Sequence, residues 1–203
     1  IMEKKDNIMK NDKIKSLVES NLNNFTLGEE YGQRAVGDKI EAECANIFKN
    51  LYPNEYVDPS SKKSTDDFSL EHDNHKKLLD VKSHWVQEDG NGFSMPNLIS
   101  IKKLRKLLED NTKCLSYILV DYVRRGDDVI VGDVHVPYVW ELDWSILHIQ
   151  NLGWGQLQIK DANKELVFTD MGKEKWFQKF KLEAKKYYKK HLTKIEKELK
   201  NWG

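Results

Sequence analysis

The chain has 203 residues, of which 39% are hydrophobic, 10% aromatic and 33% charged. This composition excludes a disordered chain, and the length is that of one ordinary domain, so we expect a single domain over 2–203. Lys plus Arg (33) balance Asp plus Glu (33), so net charge does not indicate a polyanionic partner, and such a partner has to be sought in local charge.

Neither a targeting segment nor a membrane span is expected. The first 20 residues are polar and charged, and no run of 18 apolar residues occurs. Cys44 and Cys114 lie in apolar runs without metal-ligand spacing, which is typical of small core residues. These features together predict an intracellular, cytoplasmic protein.

The first half of the chain reads as helices followed by strands. A weakly amphipathic helix is predicted over 7–22 and a stronger one over 38–51, which Pro53 ends. The hydrophobic period then changes to two. This predicts strands over 66–70 and 77–86, joined by a polar turn at 72–75.

The second half continues the alternation of strands and helices. We expect a Gly-rich loop over 87–97, a helix over 98–110, a buried strand over 114–123, a β-rich run over 129–140 and a strand pair within 146–168. The order predicts an α/β (α+β) fold in which a central mixed β-sheet is flanked by helices.

A long lysine-rich helix is predicted over 172–201, where Lys outnumbers Glu by 11 to 4. Its apolar side is wide enough to pack on the domain or on a second subunit. The lysines could flank DNA, or they could form a solvated face. The apolar side consists of Trp176, Phe180, Ala184, Tyr187, Tyr188, His191, Leu192, Ile195 and Leu199.

The stretch "LLDVKSHWV", 78–86, carries an acid and a base on one side of a strand. Because strand side chains alternate, Leu79 and Val81 point into the core while Asp80, Lys82 and His84 point the other way. Taken alone, the pair Asp80 and Lys82 is equally an exposed ion pair of little energetic value.

An upstream segment, "STDDFSL", supplies two more acids. Asp66 and Asp67 lie 14 and 13 residues before Asp80, and a hairpin of that length brings carboxylates of the two strands side by side. Two like charges placed together are costly unless a cation lies between them, and Mg²⁺ prefers such oxygen ligands. The alternative is that acids at a strand start mark a turn.

The pattern "DDF…LDVK" resembles the motif of the PD-(D/E)XK nuclease superfamily. Asp67 matches the first acid, and Asp80 and Lys82 match the D-x-K pair. The usual proline of the motif is absent, because Asp66 stands in its place.

A preceding helix fits the same resemblance, since "GDKIEAECANIF" is similar to the family's G-x-x-x-E helix start. Gly37 matches the glycine and Glu41 the glutamate. By helical geometry Glu41 and Glu43 flank the apolar stripe at similar angles, so geometry leaves both open. The resemblance favours Glu41.

The resemblance spans 33–123 and is closest to type II restriction endonucleases of the EcoRV-like branch. It implies a homodimer that hydrolyses double-stranded DNA at a specific, palindromic site with Mg²⁺-activated water. Asp67 and Asp80 would hold the metal with the Val81 carbonyl, Lys82 would assist the water, and Glu41 would support the site as a ligand or through a water.

DNA contacts are expected from the loop and the helix after the D-x-K strand. Groove contacts are predicted for Gln87, Asn91, Ser94 and Asn97, and phosphate contacts for Lys102 and Lys103. His84, on the same side of the strand as Asp80 and Lys82, could touch the scissile phosphate or could be a bystander. The alternatives are an ordinary flexible loop and a solvated helix face.

Two other functions remain open at the level of sequence. One is a nuclease of the same superfamily with another substrate, such as a junction resolvase, a nicking repair enzyme or a phage nuclease. The other is a DNA-binding module that keeps the fold without catalysis.

Overall fold

The computed structural model describes residues 10–28, 30–61, 64–86, 97–160 and 165–202, and the backbone of 92–93. The predicted loop residues Gln87, Asn91 and Ser94 therefore lie outside the described residues. The elements in chain order are α1 (Asn11–Asn21), β1 (Phe25–Thr26), α2 (Gln33–Leu51), β2 (Tyr56–Val57), β3 (Phe68–His72), β4 (His75–Val86), β5 (Gly92–Phe93), β6 (Asn97–Ser100), α3 (Ile101–Glu109), β7 (Lys113–Arg125), β8 (Asp128–His135), a 3₁₀ turn (Val139–Glu141), β9 (Leu147–Gln150), β10 (Gln156–Ile159) and α4 (Lys173–Asn201).

The main sheet has seven strands in the order β1-β8-β7-β4-β3-β2, with β5 paired to β4. β4 and β7 run parallel, and the other neighbouring strands are antiparallel. A second, antiparallel sheet has the order β6-β10-β9. The predicted α/β (α+β) architecture, a central mixed sheet flanked by helices, is confirmed.

Apolar layers cover both faces of the main sheet. On one face, Leu79 and Val81 of β4 pack in a core with α1 and α2. On the other face, Leu78 packs with α3, the small sheet and the first turns of α4, where Trp176 Nε1 donates a hydrogen bond to the Leu142 carbonyl at 2.8 Å. The predicted alternation along β4 is present, but the face that carries Asp80 is also covered by apolar groups.

Two of the element boundaries that differ from the sequence prediction lie near the predicted site residues. Helix α2 begins at Gln33, so Gly37 lies inside the helix instead of before it. Residues 98–100 form strand β6 instead of helix, because they pair with β10, and Ser100 Oγ caps α3 by accepting a hydrogen bond from Lys103 N at 3.3 Å. At 98–100, strand pairing outweighs local periodicity.

None of the described helices combines the length and the apolar character needed to cross a bilayer.

A lysine of β4 is buried inside the core. Lys77 is 0% exposed, and its Nζ donates to Asn11 Oδ1 and, at 3.2 Å, to the Tyr138 hydroxyl. Ser116 Oγ donates to the same Asn11 oxygen at 3.0 Å. Burial lowers the pKa of Lys77 to about 8. This network ties α1 to the sheet at the cost of a buried charge.

Stability near Lys77 should therefore depend on pH in a defined direction. A lysine whose pKa is lower in the folded state opposes folding below pH 8, and this penalty is relieved as pH rises to 10.5, its unfolded value. We expect the wild type to gain about 3 kcal/mol of unfolding free energy relative to Lys77→Met between pH 7 and 10.5. Urea unfolding of both proteins across this range measures the difference, and a constant difference would contradict the assignment.

Candidate active site

The β3–β4 hairpin brings one aspartate from each strand together. Its register pairs Phe68 with Leu79, so Asp67, one residue earlier, lies across from Asp80. The turn at 73–74 has positive φ at both positions, 47° and 63°, which is the conformation of a tight two-residue hairpin turn. This turn fixes the register and with it the pairing of the two acids.

At Asp67, a hydrogen bond to the side chain takes the place of a backbone hydrogen bond between β3 and β4. Its backbone N–H donates to the Leu79 carbonyl at 2.9 Å, while the Val81 N–H donates to Asp67 Oδ2 at 2.6 Å. The regular strand therefore begins only at Phe68, and the Asp67 carboxylate is held beside β4. The adjacent acid, Asp66, is bonded elsewhere, to the Ser64 hydroxyl.

The Asp80 carboxyl is almost completely buried, with 5% of the residue exposed. Burial raises the pKa of Asp80 well above its usual value, and the Asp67 carboxyl, within hydrogen-bonding range, raises it further against the opposing effect of Lys82. Across the parallel pair lies Tyr117, whose buried hydroxyl has no hydrogen-bond partner among the described residues. The centre is therefore short of positive charge.

Lys82 supplies the nearest cation to this centre. Its Nζ donates hydrogen bonds to Asp80 Oδ1 and, at 3.3 Å, to the Val81 carbonyl. The Lys82 side chain is 24% exposed against 7% for that of Asp80. The Lys82 ammonium is therefore closer to solvent than the Asp80 carboxyl that it contacts.

The two glutamates that the sequence left open lie in different environments. Burial raises the pKa of Glu41, Asp67 raises it further, and Lys82 lowers it. Glu43 instead pairs with Lys39 at 2.7 Å on the surface of α2.

Gly37 allows α2 to approach the sheet one turn before Glu41. A Cβ atom at this position would lie 3.0 Å from Ser83 Oγ of β4. Any larger residue at position 37 would require the Ser83 hydroxyl to shift by a few tenths of an ångström, so glycine suits this close approach between helix and strand.

His84 extends the polar row of β4 beyond Lys82. Its Nδ1 lies 3.0 Å from Oδ1 of Asp121, the residue opposite it on β7. Its Nε2 is buried and has no partner among the described residues. Sequence reasoning missed Asp121, for which the only signal was an acid inside the otherwise apolar run "CLSYILVDYV".

The predicted DNA contacts within the described residues are all at the surface. Asn97 is exposed at the start of β6, and Lys102 and Lys103 are exposed on α3. Lys103 Nζ donates to the Ser64 carbonyl at 3.3 Å, which links α3 to the segment that carries Asp67.

No group of three His, Cys, Asp or Glu side chains within the described ranges is close enough to hold a metal ion by itself. The tight oxygen cluster consists of the two aspartates, with the Val81 carbonyl beside Lys82. Two carboxylates and a carbonyl leave room for several waters, which is the ligand set that Mg²⁺ prefers.

Solved structures that resemble this chain are known, although its sequence finds no relative. No protein-family model and no curated protein match the chain. The fold is similar to that of the solved NlaIV restriction endonuclease, with a TM-score of 0.48, 15% identity, and coverage of 93% of this chain and 89% of that chain. The chemistry of the site has to be derived from its own geometry.

Removing the Asp80 charge should stabilise the protein when no metal is present. A carboxyl with a raised folded-state pKa opposes folding as pH rises above its unfolded value, 3.8. We expect Asp80→Asn in EDTA at pH 7.5 to raise Tm by about 2–4 °C per kcal/mol gained, and the gain to vanish near pH 3. Calorimetry checks this.

The matched control for that experiment is Glu71→Gln, an exposed acid on the same hairpin. This variant should leave Tm unchanged within about 1 °C, as for most surface substitutions. A lower Tm for Asp80→Asn than for the wild type at pH 7.5 would show that the Asp80–Lys82 ion pair outweighs the burial of the charge.

Proposed function

We propose that the protein is a Mg²⁺-dependent endonuclease of the PD-(D/E)XK type, and more specifically a type II restriction endonuclease acting on double-stranded DNA. The observation that carries the proposal is the meeting of Asp67 and Asp80 with Lys82 at the opening of a hairpin. Two adjacent carboxylates, one of them buried, are costly without a cation between them, whereas a metal-dependent phosphodiesterase uses such a pair to hold its ion.

The donor set fits a hard divalent ion. Asp67, Asp80 and the Val81 carbonyl would hold Mg²⁺, and Glu41 would reach it through water. The ion, when bound, would lower the pKa of a water molecule and offset the negative charge of the phosphodiester. The raised pKa of Asp80, caused first by burial and then by the Asp67 carboxyl, supports the fit, because a bound cation would favour the ionised form of both acids.

The residues of the chain then have separate tasks. Asp67, fixed by the Val81 N–H, keeps a defined orientation beside Asp80. The Lys82 ammonium, on the solvent side of the acids, can orient the attacking water and stabilise charge that builds on the phosphoryl oxygens during in-line displacement. The Glu41 carboxylate on α2 completes the polar wall opposite β4.

Recognition of DNA would use the surface around the hairpin. Lys102 and Lys103 suit phosphate oxygens, Asn97 suits a base edge or sugar, and His84 suits the phosphate next to the site. A two-fold dimer would bring one such centre to each strand of a palindrome.

Discrete plasmid fragments would support site-specific restriction, whereas nicking or cleavage limited to branched DNA would favour another nuclease of the same type.

Substitution of the central residues should abolish cleavage and leave the fold intact. We expect Lys82→Ala, Asp67→Asn and Asp80→Asn to lower the rate of plasmid cleavage in Mg²⁺ by about 10³-fold or more, because each removes charge that acts in the transition state. Lys82→Ala should still bind DNA. The matched control is Lys76→Ala on the same strand, which breaks only a surface pair with Glu71 and should cleave normally. Full cleavage by Lys82→Ala would remove the lysine from the mechanism.

The two glutamates of α2 provide a second matched comparison. Glu41→Gln should lower the cleavage rate by about 10–100-fold, the usual effect of a supporting group at a metal site. Glu43→Gln, which breaks only the surface pair with Lys39, should have no effect. Equal losses for the two variants would exclude a specific role for Glu41.

A further inference from the structure

The end of α4 carries an apolar stripe that the domain does not cover. We name it the C-terminal seam. Its residues are exposed to the following extents: Tyr188 42%, Leu192 56%, Ile195 42%, Leu199 66% and Trp202 83%. Every residue from 192 to 202 is exposed, so this part of the helix extends beyond the body of the domain. Large apolar groups in this setting indicate a partner surface.

The seam is a separate face and does not continue the packed side of α4. Trp176 and Phe180 are buried against the domain. Five helical turns further on, the same direction is occupied by Lys194 and Glu198, while the seam points about 100° away. One apolar stripe therefore stops where the helix leaves the domain, and a second stripe starts there on a different side of the helix.

The spacing of the seam is that of a coiled coil. Successive members are separated by four, three, four and three residues. At 100° per residue all five side chains fall within an arc of about 80°. Alternating steps of four and three define the a and d positions of a heptad, with Leu192 and Leu199 at a and the others at d. This pattern is typical of pairing with a second helix.

We propose that the C-terminal seam pairs in antiparallel orientation with the same segment of a second copy of this chain. In the two-fold register, Leu192 packs against the partner's Ile195, and Tyr188 packs against the partner's Leu199. The surface is self-complementary because each a position meets a d position. The aliphatic stem of Lys185 continues the stripe at one end and meets the partner's Trp202, where its ammonium can lie over the indole ring.

Charge complementarity selects this partner and this orientation. The e positions are Lys189 and Glu196, which antiparallel pairing brings together as Lys189 with the partner's Glu196, twice by symmetry. The g positions pair His191 with the partner's Glu198, one oxygen of which accepts a hydrogen bond from Trp202 Nε1 of its own helix at 3.2 Å. Parallel pairing would instead face Lys189 with the partner's Ala184 and lose this ion pair.

The short length of the helix contact limits the affinity of the dimer. Four turns of helix are marginal alone in water, and pairing would cover the apolar side that each copy exposes. A two-helix contact of this length is at the small end of stable interfaces, so we expect a dimer that dissociates on dilution. The inference does not rest on the nuclease proposal, because no seam residue belongs to the candidate active site.

The first experiment measures mass against concentration by sedimentation velocity on the full chain. The wild type should move from 23.8 kDa towards twice that mass as concentration rises. Leu192→Lys should weaken self-association by more than about 100-fold with unchanged circular dichroism, because the side chain is exposed in the monomer. A wild type that stays monomeric at all concentrations, or a dimer unaffected by Leu192→Lys, would overturn the proposal.

A charge exchange tests the pairing itself. Glu196→Lys alone and Lys189→Glu alone should each weaken the dimer about tenfold, and the double variant should restore it. Residues 189 and 196 are seven apart, so they do not form an i,i+4 pair within one helix. The matched control Lys197→Glu, at the outward f position, should not change dimerisation. Failure of the double variant to recover would contradict the register.

Disulfide trapping tests the orientation. In a Cys114→Ser background, Leu192→Cys protein mixed with Ile195→Cys protein should form a mixed disulfide in preference to either self-disulfide. Cys44 is fully buried and does not interfere. Dominant self-disulfides at both positions would indicate parallel helices and overturn the antiparallel assignment.

Plasmid cleavage by the monomeric Leu192→Lys variant is scored separately from self-association. Failure of the dimer proposal and failure of the nuclease proposal can therefore be told apart.

Discussion

The contact between two carboxyl groups in a buried hairpin is the constraint around which the site is organised. Asp67 and Asp80 are brought together by the β3–β4 register, and burial makes the negative charge of Asp80 expensive. Among the described residues, two hydrogen-bond donors offset this charge: the Val81 N–H donates to Asp67 and the Lys82 ammonium donates to Asp80. A hairpin selected only for stability would place neutral side chains here. The proposed Mg²⁺ ion would supply the remaining positive charge.

The third side of the site depends on how closely a helix can approach a strand. Gly37 lets α2 lie close to Ser83. One turn later, the charges of Asp67 and Lys82 both shift the pKa of Glu41. The same helix places Glu43 towards solvent, where Lys39 neutralises it. Backbone proximity thus assigns different environments to two glutamates that are only two residues apart.

The position of β4 within the sheet explains why this polar row can be held rigidly. β4 lies between β3 and β7, with apolar layers on both faces, so its backbone is fixed by hydrogen bonds on both sides. The parallel partner β7 also places Asp121 beside His84, which orients the imidazole at the end of the row. Helix α4 packs only its first turns against this body, and its remaining turns are available for contacts between molecules.

The sequence by itself determined the hairpin, its turn, the sides of β4 and most helices, because period-two and period-3.6 patterns report which side chains face a core. It also identified Asp67, Asp80 and Lys82 as a group, because a hairpin has a limited set of registers. Only tertiary structure gave Glu41 and Glu43 different environments, since both flank the same stripe and the surroundings of each depend on how the helix docks. It also placed Asp121 beside His84 and turned 98–100 into a strand, because pairing between distant segments leaves no periodic trace along the chain.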